Sequence, residues 1–208
     1  MTDRESQVPE AVRLENLWAG EFGDAYSARN AAAGEGRDRF WSALFGAHSV
    51  ASVLEIGCNV GANLQWIAQH VPPEDVYGID VNEGALERLR ERLPRINAIR
   101  SRGRDLPFRD RWFDLTFTSG VLIHQPDSTL PLVMSEIVRV SKRFVLALEY
   151  AADDTVVVPY RGQDRALFKR DYTSLYRELF PDLKLIDEGF LGRDEGWDDT
   201  TWCLYART

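Results

Sequence analysis

Apolar residues along this chain fall into short runs that alternate with stretches spaced for a helix. Val50 to Ile56 reads as a buried strand, and it runs straight into Gly57. A second glycine, Gly61, opens an amphipathic segment that lasts to His70 and is broken by Pro72-Pro73. Val76 to Asp80 reads as a second strand. Asn82-Glu83-Gly84 then starts a helix carrying Leu86, Leu89 and Leu93 at i, i+3 and i+7, which ends at Pro94. Ile96 to Ile99 is a short third strand and Phe113 to Thr118 a fourth. A helix from about Ser128 to Val140 and a fifth strand, Phe144 to Glu149, complete the series. Strands and helices alternating at this spacing predict an α/β fold with a mostly parallel sheet and helices on both faces.

The flanks read differently. Residues 1 to about 12 suggest a flexible tail. Leu14 to Asn30 mixes aromatics, glycines and charges, which predicts short helices and a turn, and residues 36–47 form a helix with Phe40, Leu44 and Phe45 on one face. After Glu149 the alternation stops. A β-branched run, Thr155 to Val158, leads to Pro159-Tyr160-Arg161-Gly162 and a basic stretch, Phe168-Lys169-Arg170. Asp171 is placed to cap a helix from Tyr172 to Phe180. Leu183 to Phe190 and Thr201 to Ala206 then form a closing strand pair across a charged loop, Gly192 to Asp199. The expectation is a single domain over 1–208: an N-terminal lid (1–48), a cofactor-binding core (49–150), a substrate-side insertion (151–182) and the closing strands (183–208).

Composition narrows the partners. With 208 residues, 44% hydrophobic and 28% charged, the chain has the make-up of a soluble globular domain. It has no apolar run near the ~20 residues of a membrane span, and its polar N-terminus lacks the apolar core of a secretory signal. A net charge of −8 argues against a nucleic-acid backbone as partner. Acidic residues interleave with Arg88 to Arg95, while Arg100 to Arg104 could meet an anionic substrate. Cys58 and Cys203 are far apart and form no CxxC pair, which suits free thiols in a reducing cytoplasm. His48, His70 and His124 show no metal-site spacing, so no metal is expected. The expected partner is a small molecule, with the protein a monomer or homodimer.

The turn after the first strand carries the chemistry. A dinucleotide fingerprint places a glycine where a pyrophosphate approaches the backbone. Here Asn59 occupies that position, which weakens a NAD reading. S-adenosylmethionine (SAM) presents a carboxylate and an ammonium to such a turn instead of phosphates. On this reading Gly57 and Gly61 let the backbone approach the ligand, and Glu55 holds the ammonium through water or backbone groups. Asp80, ending the second strand, offers a carboxylate to two ribose hydroxyls. Asp105, in Gly103-Arg104-Asp105-Leu106-Pro107-Phe108, accepts from the adenine amino group, and Leu106 supplies a backbone N–H and apolar contact. Ser119, just past the fourth strand, is placed with these cofactor residues.

Residues 50–150, with these motifs in this order, resemble the class I SAM-dependent methyltransferases. The resemblance implies a Rossmann-like fold with a seven-stranded, mostly parallel sheet and a C-terminal antiparallel strand. Trp18-Ala19-Gly20-Glu21-Phe22-Gly23, Tyr26, Arg29-Asn30, Glu55 to Gly61 and Pro159 to Gly162 are similar more narrowly to the pseudaminic acid biosynthesis-associated methylase family.

Methyl transfer from a sulfonium needs alignment of the nucleophile and exclusion of water, and an oxygen nucleophile of high pKa also needs a base. His124, just past the fourth strand, is the candidate base, or else a residue that lines the loop. Glu149 and Tyr150 end the fifth strand on the same edge. The N-terminal segment is expected to cover the cofactor, with Trp18 and Tyr26 against the adenosine or sulfonium and Arg29 on the methionine carboxylate, although core packing accounts for such aromatics equally well. Tyr160, Arg161, Lys169 and Arg170 suggest a small polar, anionic acceptor such as an acidic sugar, a sugar nucleotide or a related natural-product intermediate, or else an ordinary solvated loop. A SAM-binding enzyme with non-methyl chemistry, a catalytically silent partner subunit and a NAD-binding module are the alternatives.

Overall fold

In the computed structural model, which describes residues 9–30 and 35–207, every residue of β1 (Val53–Ile56) is buried. A strand paired on both edges and covered on both faces requires this. β2 (Val76–Asp80) and β4 (Phe113–Ser119) flank it in parallel, with Val53 opposite Val76 on one side and Leu115 on the other. β3 (Asn97–Arg100) pairs outside β2, and β5 (Ser141–Glu149) outside β4. The chain returns through β8 (Leu183–Leu191) and β9 (Thr200–Arg207), and β9 inserts antiparallel between β5 and β8. The order is β3-β2-β1-β4-β5-β9-β8, so the chain reverses direction across the sheet between β1 and β4. Such a switch point opens a crevice at the carboxyl ends of the strands.

Alternation along the strands separates two cores. Leu54, Ile56, Val145 and Ala147 face α6 (Leu130–Val140) and α7 (Tyr172–Leu179). Val53, Leu115, Phe117 and Leu146 face α3 (Asp38–Ala47), α4 (Leu64–Ile67) and α5 (Glu83–Arg92). Side-chain caps begin two of the helices as their sequences suggest. Asn82 accepts from Ala85 N–H at 2.7 Å ahead of α5, and Asp171 accepts from Ser174 N–H at 2.9 Å ahead of α7.

Several boundaries differ from expectation for local reasons. The first strand begins at Val53, not Val50, because the Asp114 side chain takes the Ala51 N–H. The helix expected over 61–70 is regular only from Leu64 to Ile67. Gly61 is left-handed at φ 77°, and Gln69 and His70 donate to the residues three back, so both ends are tighter turns. The tail expected to about residue 12 lies outside the described residues up to 8, and Glu10 already begins α1 (Glu10–Ala19), followed by α2 (Glu21–Arg29). The β-branched run after β5 forms a separate hairpin, β6 (Val156–Tyr160) with β7 (Gln163–Lys169). Arg161 and Gly162 at its tip have φ of 50° and 79°, the paired left-handed geometry of a tight hairpin turn. Among the described residues no helix is long and apolar enough to cross a membrane.

Candidate active site

The crevice at the β1/β4 switch point is a cleft open to solvent at its mouth, with about 990 Å³ of space free of protein atoms when that mouth is counted, walled by the β1 and β2 ends, α1 and α2, the 101–104 loop and the 119–126 segment. Its floor is the turn after β1. Gly57 N–H and Cys58 N–H both donate to Ile79 O, at 2.8 and 2.9 Å, locking the turn to β2. Gly57 has φ 72°, and a Cβ there would lie 2.4 Å from Val121 Cγ2, so a glycine is demanded by the chain crossing it as well as by its own conformation.

Asn59 (φ 48°) donates its N–H to Asp80 Oδ2 at 2.8 Å, and Asn82 N–H donates to Asp80 Oδ1 at 2.9 Å. Each carboxylate oxygen keeps a further lone pair for a hydroxyl in the cleft. Burial pushes the Asp80 carboxyl above the usual range, and the N–H groups of Asn82 and Asn59 pull it back.

Two helices fold over this floor. Ser27 of α2 donates to Asn59 Oδ1 at 2.6 Å, and Asn82 Nδ2 donates to Trp18 O and Asp24 Oδ1 at 3.1 and 2.9 Å. Glu15 of α1 pairs with Arg102 and Arg104 at 3.2 and 2.9 Å across the cleft mouth. On its other flank α1 meets the hairpin, through Arg13 to the Asp164 and Arg165 carbonyls and through Glu10 to Arg165. Trp18 presents its ring to Phe22, Tyr26 and His124, with centroids 5.3, 5.3 and 4.4 Å away. Burial raises the Tyr26 phenol to about 12.

His124 lies at the end of a 3-10 turn, Leu122–His124, and lines the cleft. Its Nδ1 is 2.5 Å from Ala166 O of β7. A carbonyl oxygen only accepts, so Nδ1 carries the hydrogen and Nε2 bears the lone pair. Burial lowers the imidazole to about 4, which makes it neutral in neutral solution.

Of the residues expected at a cofactor, Tyr26, Gly57, Asn59, Asp80 and Ser119 line the cleft. The others stand elsewhere. Glu55 is buried behind β1, where Oε1 accepts from Asn63 Nδ2 at 2.6 Å and Oε2 has no hydrogen-bond partner; burial raises it to about 8. Gly61 faces α5, and a Cβ there would meet Leu89 Cδ1 at 2.4 Å, so its glycine serves helix packing. The Leu106 N–H expected to meet adenine donates to Glu136 Oε2 at 2.8 Å, and Asp105 is exposed beside the cleft. Arg29 points to solvent from the last turn of α2.

The acceptor-side residues are also redistributed. Tyr160 stands behind the cleft lining, with its ring 6.3 and 5.3 Å from those of Trp18 and His124. Tyr150 hydroxyl donates to Asp198 at 3.4 Å, with Lys169 Nζ 6.0 Å from its ring, and Arg161 is exposed at the hairpin tip. Arg170 is buried in an ion pair with Asp127 at 2.8 Å, and Glu149 is spent on backbone N–H groups of residues 121–123. Residues without a motif that join the site are Ser27, Asn82, Glu15 and Gln125. Only Asn82 carried a signal, as the cap two residues beyond the acidic strand end. Among the described residues no three His, Cys, Asp or Glu cluster to hold a metal.

The sheet order, the reversal at β1/β4 and an acidic strand end beside a glycine turn define a Rossmann-like fold of the methyltransferase type. Residues 53–143 match the family model described as a methyltransferase domain. The chain is similar over its whole length to the Burkholderia thailandensis 1,6-didemethyltoxoflavin-N1-methyltransferase, solved with 1,6-didemethyltoxoflavin and S-adenosylhomocysteine: TM-score 0.74, 17% identity, 100% of this chain and 93% of that one. The magnesium protoporphyrin IX methyltransferase of Synechocystis PCC 6803, solved with SAM, aligns at TM-score 0.72 and 14% identity over 98% of this chain and 100% of that one. A [4+2]-cyclase, SpnF, aligns at 0.59 and 16% identity over 82% and 81%. Among curated proteins, a phthiotriol/phenolphthiotriol dimycocerosates methyltransferase of Mycobacterium tuberculosis is 31% identical over 65 residues, 30% of this chain. The matched stretch spans about a quarter of that relative's length, 24%.

Proposed function

We propose that the protein is a SAM-dependent methyltransferase acting on a small polar metabolite. The observation that carries this reading is the Asp80 carboxylate, anchored by two backbone N–H groups with lone pairs left over at the floor of a covered cleft. SAM fits the residues present: Asp80 at the ribose hydroxyls, the Gly57–Asn59 turn at the methionine end, and Tyr26 and Trp18 above. Bound SAM would supply a methyl group on a sulfonium, a group that transfers without further activation. The chain then has to orient the acceptor and keep water out, which falls to α1, clamped across the mouth by Glu15 and Arg104, and to α2, tied to the floor by Ser27.

His124 is proposed as the group that takes the acceptor's proton, through the lone pair that the Ala166 carbonyl leaves on Nε2. An anionic acceptor, such as an acidic sugar or sugar nucleotide, is the proposed substrate class. Support for it comes from Lys169 and Arg161, which among the described residues form no ion pair, whereas Arg170 is committed to Asp127. The likeness to the pseudaminic acid-associated methylases points the same way. The division into lid, cofactor core, acceptor-side hairpin and closing strands, and a cytoplasmic monomer or homodimer, complete the proposal.

Incubation with SAM and a panel of acidic sugars and sugar nucleotides tests it by formation of S-adenosylhomocysteine. A folded protein that binds NAD and not SAM would overturn the reading. The cyclase of the same fold marks the second one, since the fold holds the cleft better than it dictates the reaction. A SAM-dependent product without S-adenosylhomocysteine would favour it.

A further inference from the structure

The segment that carries His124 leaves β4 through Gly120 (φ 66°), whose N–H donates to Leu148 O at 2.8 Å, and enters the 3-10 turn with no side-chain cap of its own. The first N–H groups of such a turn have no partner within it. Glu149, the last residue of β5, supplies the missing acceptor from the neighbouring strand. Its Oε1 accepts from Val121 and Leu122 N–H at 3.2 and 3.1 Å, and its Oε2 accepts from Ile123 N–H at 3.3 Å. Glu149 is 1% exposed, so its carboxyl is tied to this turn and closed to solvent.

We infer that Glu149 is a positioning residue that sets His124 and the floor of the cofactor cleft together, by gathering three successive N–H groups of the turn onto one carboxyl. Two contacts transmit that position. His124 N–H donates to Val121 O at 3.0 Å, so the imidazole hangs from the residues that Glu149 holds. The Val121 side chain presses on Gly57, where only a hydrogen fits. The ring is fixed separately by Ala166 O of the hairpin. With backbone and ring pinned from two different elements, Nε2 has one direction in which to present its lone pair. The inference rests on reading His124 as the base and adds the residue that aims it. A carboxylate suits the task because each of its oxygens accepts more than one hydrogen bond and neither donates when ionised.

The test compares wild-type protein with E149Q, which keeps the side-chain shape but turns an amide NH2 toward N–H donors. Backbone amide exchange and the ring-nitrogen resonances of His124 are read by NMR on the unliganded protein. In E149Q, exchange at Val121, Leu122 and Ile123 should quicken at least about tenfold relative to β4, as loss of a hydrogen bond to a charged group implies. The two His124 nitrogens, distinct in wild type as one protonated and one bare, should move toward averaged values. Unchanged exchange and unchanged resonances in folded E149Q overturn the inference. Faster exchange with the His124 resonances unmoved overturns it too, because Glu149 would then be structural alone. E149D, which withdraws the oxygens by one methylene, is read by the same criteria if E149Q does not fold. Failure of the base reading shows elsewhere: H124Q would transfer methyl groups at the wild-type rate while the E149Q shifts persisted.

Discussion

Replacing Asp80 with alanine separates two tasks that one carboxylate performs. In the free protein it joins the glycine turn to the start of α5, accepting from Asn59 and Asn82 N–H at 2.8 and 2.9 Å. D80A leaves both donors without that acceptor. Each costs about 1–3 kcal/mol when buried, and the half-buried site favours the low end, so a loss of about 2 kcal/mol is expected. For a chain of this size that lowers Tm by roughly 4–8 °C. With SAM or its product bound, the remaining lone pairs would receive two ribose hydroxyls. Hydrogen bonds to a charged acceptor contribute about 1.5–3 kcal/mol each. Water entering the vacated space recovers part of this, so about 3 kcal/mol is expected, or roughly 100-fold in Kd. Calorimetric titration with S-adenosylhomocysteine, beside a thermal scan of the same sample, measures the two effects independently. If folded D80A binds S-adenosylhomocysteine within about threefold of wild type, Asp80 is a structural clamp and the ribose assignment fails.

Three further substitutions probe the rest of the site. H124Q should slow methyl transfer to an oxygen acceptor by about 10²–10⁴ while leaving S-adenosylhomocysteine affinity unchanged; an unaltered rate of product formation refutes the base. G61A places a side chain at φ 77° and a Cβ 2.4 Å from Leu89 Cδ1. Urea unfolding should report a loss of about 2–5 kcal/mol, combining left-handed strain with overpacking, and strictly additive losses in G61A/L89A would refute the contact as its cause. Glu55 is raised from 4.5 to about 8 by burial, so between those values the native state holds a proton that the unfolded chain has released. Its contribution to stability is complete below pH 4.5 and is lost as pH rises through about 8. E55Q should flatten the fall in urea midpoint between roughly pH 5 and pH 9, leaving the contributions of Glu149, which burial raises to about 7, and of Asp80, which burial also raises; a slope identical to wild type refutes it.

The sheet was legible from the chain because its signal is local. The central strands β1, β2, β4 and β5 are largely buried and stand where apolar-rich runs stand, whereas β3 at the sheet edge, Asn97–Arg100, has no buried residue and was marked by position more than by burial. Asp80 was legible for the same reason, since a strand end has a fixed place at the sheet edge. Glu55 and Leu106 were misplaced by a finer geometry. Alternation on β1 turns Glu55 away from the cleft toward Asn63, and the Leu106 N–H is claimed by Glu136 from α6, thirty residues on. Glu149 looked like an acceptor ligand because it ends a strand on the functional edge. Its true partners, three consecutive N–H groups of another loop, leave no trace in residue types.

The flank of the cleft facing the hairpin was least legible, and the structure gives a physical reason. There Trp18 of α1 and His124 of the turn after β4 line the cleft and are backed by Tyr160 of β6, with ring centroids 4.4 to 6.3 Å apart. No two of these lie within thirty residues of each other in sequence, so no spacing rule joins them. They are brought together by α1, which is latched on one flank to Arg102 and Arg104 and on the other to the hairpin through Arg13, Glu10 and a small apolar contact of Leu14 with Ala166 and Phe168. The helix that roofs the cofactor cleft therefore also sets where the hairpin stands. Ala166 on that hairpin holds the His124 ring, so α1 and the imidazole are both anchored to the hairpin. A substrate that displaced the hairpin would release the ring, whereas one that left α1 and the hairpin seated would keep the lone pair aimed.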